Sequence, residues 1–251
     1  MNKTAVITGA SAGIGQALAT QLARRGYHLA LAARRVESLQ ALAASIKASH
    51  PELRVEVRAL DVTDLDAVQA TIAELAKTMG GLDLVVANAG IGESAPIGSG
   101  RFAHDVRLMQ TNVLGAMATI DAAVAIFKKQ KRGQVVAISS VAAFRGLPGA
   151  GAYSASKAAI ATYTEALRAE LHKSPIVVTT LFPGFIDTAI NQRMKKRPFL
   201  ITVEKGAEVM ADLIERGVQT STVPVMPWTV VGKLMKMMPL SALARQKPFD
   251  G

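Results

Sequence analysis

An α/β fold, with a parallel sheet covered by helices on both faces, is what three features of this sequence predict. Short β-branched or aliphatic runs alternate with longer stretches of helical period, punctuated by Gly, Pro or Asp, which is the pattern of repeated βαβ units. Half of the residues are apolar and only 4% are aromatic, so the core must be built from Ala, Val, Leu and Ile, the usual material of buried parallel strands. The length, 251 residues, suits one large α/β domain better than two small ones, so residues 1–251 are expected to form a single domain.

Taken in order, seven aliphatic or β-branched runs are expected as strands, near residues 4–8, 28–32, 54–58, 83–87, 134–138, 176–181 and 222–226. Helical periods between and after them place helices near 13–25, 35–48, 65–79, 102–128, 152–173, 203–216 and 228–238. The third helix has the best-marked ends: Thr63 or Asp64 can cap its start, and Gly80 can close it in a left-handed conformation. No repeat and no low-complexity linker divides the chain.

Composition excludes several classes of function. Such an apolar chain is not disordered, and without cysteine it holds neither a disulfide scaffold nor a thiolate metal site. His28, His50, His104 and His172 are scattered without metal-ligand spacing, so no metal is expected. A net charge of +10 attracts polyanions, meaning nucleic acid, anionic lipid or phosphorylated ligands. With no recognised nucleic-acid motif and few aromatics for base stacking, nucleic acid is not the expected partner. Only Met1-Asn2-Lys3 precede the first strand, and no run of about eighteen apolar residues escapes a charge or breaker, so neither a signal peptide nor a spanning helix is expected. The expected location is cytoplasmic, or peripheral at a membrane surface.

Three clusters carry chemistry. The first strand runs into Thr8-Gly9-Ala10-Ser11-Ala12-Gly13-Ile14-Gly15, where glycines let the backbone turn and bring a helix N-terminus against a pyrophosphate. The second strand ends in Ala33-Arg34-Arg35; an acid there would hold a ribose 2'-hydroxyl, whereas Arg accommodates a 2'-phosphate. Ser139-Ser140 follows the fifth strand, and Tyr153 and Lys157 lie one helical turn apart, so that an ammonium near the phenol would favour phenolate and draw its pKa down. Taken singly, each has a structural explanation: a strand-to-helix turn, a solvated helix start, a chance pair. The cations of Lys128-Lys129-Gln130-Lys131-Arg132 read as a solvated helix end complementing its dipole.

These features stand in one unbroken order with others: Thr8-Gly9-x-x-x-Gly13-x-Gly15, Asp61-Val62, Asn88-Ala89-Gly90, Asn112, Ser140, Tyr153-x-x-x-Lys157 and Pro183-Gly184. Over residues 3 to about 190 the chain thereby resembles the short-chain dehydrogenase/reductase family, in its common form of about 250 residues. The resemblance implies a Rossmann-type doubly wound seven-stranded parallel sheet and a catalytic tetrad of Asn112, Ser140, Tyr153 and Lys157. In that family Tyr gives or takes the carbonyl proton, Ser holds the substrate oxygen, Lys lowers the phenol pKa and bonds the nicotinamide ribose, and Asn supports a relay water. Carried over by residue, Gly9, Ser11, Ala12, Gly13, Ile14 and Gly15 would meet the pyrophosphate, and Arg34 and then Arg35 the 2'-phosphate. Asp61 and Val62 would border the adenine, Asn88, Ala89 and Gly90 the cofactor floor, and Ile186 and Thr188, after Pro183-Gly184, the carboxamide. One departure is Ala87, where the family often has a second Asn. The expected cofactor is NADP(H) rather than NAD(H), and the expected assembly is a homodimer or homotetramer through helices 102–128 and 152–173.

The last third of the chain should decide the substrate. From Arg193 to Lys247 there are ten Lys or Arg against four acids, and Met226, Met235, Met237 and Met238 crowd its end. A loop at about 188–203 mixes cations with apolar residues, as a lid for an anionic or amphiphilic substrate would, or as a solvated loop. In an amphipathic segment at about 228–251, Trp228, Val231, Leu234, Met235 and Met238 share one helical face and Thr229, Gly232, Lys233 and Lys236 the other. That face either closes the pocket, packs on a sister subunit, or lies on anionic membrane. The expected activity is NADPH-dependent hydride transfer to an apolar or lipid-like carbonyl. The alternatives are a 3-oxoacyl-thioester reductase that recognises an acidic carrier and a membrane-surface lipid-associated protein.

Overall fold

The computed structural model describes residues 3–92, 95–192, 194 and 196–244. Arg193 and Lys195 of the substrate loop, and residues 245–251 of the C-terminal segment, lie outside the described residues. Seven parallel strands, β1 (Thr4–Thr8), β2 (His28–Ala33), β3 (Val55–Ala59), β4 (Leu84–Ala87), β5 (Gly133–Ile138), β6 (Ile176–Pro183) and β7 (Thr220–Val223), form one sheet in the order β3-β2-β1-β4-β5-β6-β7. The chain winds outward one way from β1 to β3, then returns to place β4 beside β1. That reversal leaves a crevice at the carboxyl ends of β1 and β4.

Alternation along the strands supplies two cores. Ile7, Leu29 and Leu31 face α1 (Gly13–Arg24), α2 (Val36–Ser49) and α7 (Val203–Glu215), while Val6, Ala30 and Ala32 face the opposite layer. That layer is α3 (Leu65–Met79), α5 (Ala116–Gln130) and α6 (Gly151–Glu170). Asp64 caps α3 by accepting from the Ala67 N–H at 3.0 Å, and Gly80 closes it at φ 76°. Thr63 instead donates its hydroxyl to Asp61.

The expected helix at 102–128 is α4 (Phe102–Met109), a π-helical turn at Gln110–Gly115, and α5, running without a break to Gln130. By length and composition this Phe102–Gln130 stretch could cross a membrane, but Gly115 and Asp121 interrupt its apolar part and 56% of its most apolar window is buried, as in a core helix. β7 lies two residues earlier than expected: Thr220–Val223 pair with Thr180–Pro183, and Pro224 then offers no N–H to the ladder. α6 ends at Glu170 and turns before Ile176.

α8 (Trp228–Met237) corrects the predicted faces. Trp228 and Gly232 are buried, Val231 and Met235 half-buried, but Leu234 points outward and is 58% exposed. Gly232, expected on the polar side, lies under the Phe144 ring, where an added Cβ would fall 2.5 Å from the ring. The absence of a side chain allows that close approach, and it rotates the inward face away from Leu234. A further short helix, α9 (Leu240–Ala244), was not anticipated.

Candidate active site

The crevice has a volume of about 470 Å³ and is bordered by the carboxyl ends of β1, β2, β4, β5 and β6. Its floor begins with the glycine turn. Gly9 (φ 70°) is pressed so closely on the β4 end that a Cβ would lie 2.7 Å from Ala89 Cα, and a Cβ on Gly15 would lie 2.5 Å from Gly9 O. Two of the three glycines therefore serve backbone packing. Gly13 (φ 55°) lines the crevice, with nothing nearer than a Thr188 methyl at 3.5 Å from such an atom. Ala12 offers no side-chain cap to α1, so the first N–H groups of that helix remain for an anion.

Thr8, which the motif reading passed over as a binding residue, ties this turn to β4. Its hydroxyl accepts from the N–H groups of Asn88 (3.2 Å) and Ala89 (3.3 Å) and donates to Val86 O. Asn88 Nδ2 returns bonds to Thr8 O and Gly9 O. At the far end of the floor Arg35 donates to Ser11 Oγ, and Arg34 lies 3.8 Å from Asp61 with both side chains exposed. Burial would raise the Asp61 pKa, but two bonds from Thr63 and the Arg34 charge outweigh it and hold the carboxyl below its ordinary value.

The opposite end holds the Tyr and Lys pair. Ser140 accepts from the Ala142 N–H at 3.1 Å, donates to Pro183 O at 3.4 Å and shares a side-chain hydrogen bond with Tyr153. Lys157 Nζ lies 5.8 Å from the Tyr153 ring centroid and donates to Ile138 O at 3.0 Å, while Ser139 Oγ holds the Lys157 carbonyl at 2.8 Å. Burial sets both titrations. It pushes the Tyr153 phenol up, with the Ser140 bond opposing, and brings the Lys157 ammonium down to about 8. The lowering of the phenol expected from Tyr and Lys spacing is thus overridden by desolvation.

Asn112 does not line the crevice. Buried in the π-helical turn, it accepts from Ile91 N and donates to Ile91 O, both at 2.8 Å, and donates to Ser156 Oγ at 3.3 Å. Its amide fixes the loop after β4. All the other expected catalytic and cofactor-binding residues border the crevice. Ile190 and Asn191 of the expected substrate loop also line it, as does Ile91, which no motif marked. Gly92 signals this wall: a Cβ there would strike Ile190 Cγ2 at 2.3 Å and approach Tyr153 at 3.6 Å. Behind Gly184, Trp228 of α8 packs so tightly that an added Cβ would meet its Nε1 at 2.1 Å, and Phe199 meets the Trp228 ring edge-on at 5.7 Å.

These residues fit a dinucleotide: open helix N–H groups in the middle, a guanidinium and hydroxyl cluster at one end, and a phenol, hydroxyl and ammonium at the other. Among the described residues no His, Asp and Glu cluster could hold a metal ion. The family model for short chain dehydrogenases matches residues 3–198. An uncharacterized oxidoreductase of Myxococcus xanthus is 42% identical over 216 residues, covering 86% of this chain and 85% of the relative. One from Mycobacterium tuberculosis is 37% identical over 235 residues, 93% of each. The structure of an alcohol dehydrogenase from the archaeon Thermococcus sibiricus, complexed with 5-hydroxy-NADP, superposes with a TM-score of 0.80 at 28% identity, over 89% of this chain and 95% of that one.

Proposed function

This chain belongs to the short-chain dehydrogenase/reductase family, and on that premise we propose that it is an NADPH-dependent reductase of apolar ketones or aldehydes. The observation that carries the reading is the convergence of Tyr153, Ser140 and Lys157 on one end of the crevice. The dinucleotide supplies the hydride. A carbonyl accepting hydride develops charge on oxygen, which needs a proton and a hydrogen bond at that atom. Tyr153 Oη, kept protonated by burial, holds the proton, and Ser140 Oγ is its hydrogen-bonding neighbour. Lys157 Nζ, below pH 8 an ammonium, stabilises the phenolate left behind.

Preference for the 2'-phosphate rests on Arg35 and Ser11, with Arg34 alongside and Ala33 in place of a repelling acid. The Thermococcus sibiricus neighbour with 5-hydroxy-NADP supports the same reading. Apolar preference rests on Ile91 and Ile190 beside Tyr153. In the loop, Arg197 is engaged by Asp187 and Asn191 while Lys196 stays exposed, and an acidic acyl carrier remains the second reading. A homo-oligomer is supported by the exposed Phe102, Val106 and Leu114 along the Phe102–Gln130 stretch. Its place would be the cytoplasm, at or away from a membrane surface.

Following NADPH oxidation against carbonyls graded by chain length, ring number and charge tests the proposal. Turnover should rise with apolar size; exclusive use of small polar sugars would end it.

A further inference from the structure

Outside the crevice, the most conspicuous unassigned surface is the outward face of α8 and the turn before it. Met226, Val230, Leu234 and Met237 follow one another four, four and three residues apart, the spacing of a single helical face. All four are exposed, Met237 to 82%, and Leu240 continues the row. The inner face, Trp228, Val231 and Met235, packs against Phe144, Phe182 and Phe185. A helix apolar on both sides belongs where both sides are covered.

The charge around this face identifies what covers it. From Arg216 to Phe249 the sequence carries five Lys or Arg and no acid. Lys233 is exposed among the row, and Lys236, with Nζ 5.3 Å from the Phe144 ring centroid, flanks it. We propose that this face docks on an anionic lipid bilayer, the helix lying in the interfacial plane with its apolar row in the acyl boundary and its lysines at the headgroups. A second copy fits less well, since pairing the face with itself would set Lys233 and Lys236 against the same cations with no acid to meet them. Trp228 roots the docked helix on Gly184, a wall of the crevice. If the proposed reductase reading holds, a carbonyl dissolved in the bilayer would lie beside its site.

Flotation of the full chain with vesicles tests the docking without turnover, so failure of the reductase reading leaves it intact. Wild type should float with equal parts phosphatidylglycerol and phosphatidylcholine, and partition roughly ten-fold less on phosphatidylcholine alone or in high salt. Lys233→Gln should weaken partition about five-fold. Leu234→Glu with Met237→Glu should abolish it at unchanged NADPH affinity and mass; Met237→Glu alone, too exposed to disturb folding, should reduce it. The proposal is overturned if wild type ignores vesicles or if the glutamate variants float as well as wild type. A variant that changes mass while wild type ignores vesicles would assign the face to a second copy instead.

Discussion

Arg35 donates from Nε and Nη2 to the Ser11 hydroxyl, at 3.3 and 3.2 Å, while its neighbour Arg34 turns to Asp61. The guanidinium nearer the glycine turn is therefore Arg35, although the sequence favours Arg34. A charge-assisted bond to a 2'-phosphate contributes roughly 1.5 to 3 kcal/mol, so Arg35→Ala should weaken NADPH about 10- to 150-fold and leave NADH little changed. Arg34→Ala should do less, since its guanidinium is turned to Asp61 rather than to Ser11 and the glycine turn. Titration of both dinucleotides decides it, and equal losses for the two would contradict the assignment.

Lys157 gives the enzyme a basic limb. Burial favours the neutral amine, so the ammonium is present below about 8 and lost above it. Since kcat/KM reports groups of the free enzyme, it should be level on the acid side and fall as pH rises through that value. Lys157→Met should remove the limb along with most activity. A wild-type profile indifferent to pH across this range would show that Lys157 does not set it.

Gly184 couples the crevice to α8. A methyl there would fall 2.1 Å from Trp228 Nε1 and 2.3 Å from Cε2, inside a packed aromatic cluster. Gly184→Ala should destabilise by about 1 to 3 kcal/mol, lowering Tm by about 2 to 4 °C per kcal/mol. An unchanged thermal midpoint would mean that α8 is not held against this wall.

The α3 cap offers a contrast far from the chemistry. Losing the Asp64 bond to Ala67 N in Asp64→Ala should cost about 1 kcal/mol, or about 2 to 4 °C in Tm, with kcat unaltered. Calorimetry beside a steady-state assay separates the two effects.

Features legible in the sequence are those set by local pattern. The strand runs, the Asp64 and Gly80 ends of α3 and the residues bordering the crevice follow from hydrophobic period, cap chemistry and motif order. What escaped depends on a tertiary partner. Leu234 matches the inward period of α8, but the fit of Gly232 under Phe144 turns it outward. The Tyr153 and Lys157 spacing predicts a lowered phenol, but desolvation, invisible in spacing, raises it against the Ser140 bond. The bonds that tie the Asn112 amide to Ile91 and Ser156 arise in a π-helical turn that no local signal marked.

Tyr153 as the proton donor is the centre of the proposed mechanism, and the comparison of wild type with Tyr153→Phe in carbonyl-dependent NADPH oxidation tests it most directly. Loss of the hydroxyl should lower kcat by about 10²- to 10⁴-fold, the usual contribution of a positioned acid, while NADPH binds as tightly as before. Turnover by the phenylalanine variant close to that of wild type would contradict the mechanism outright.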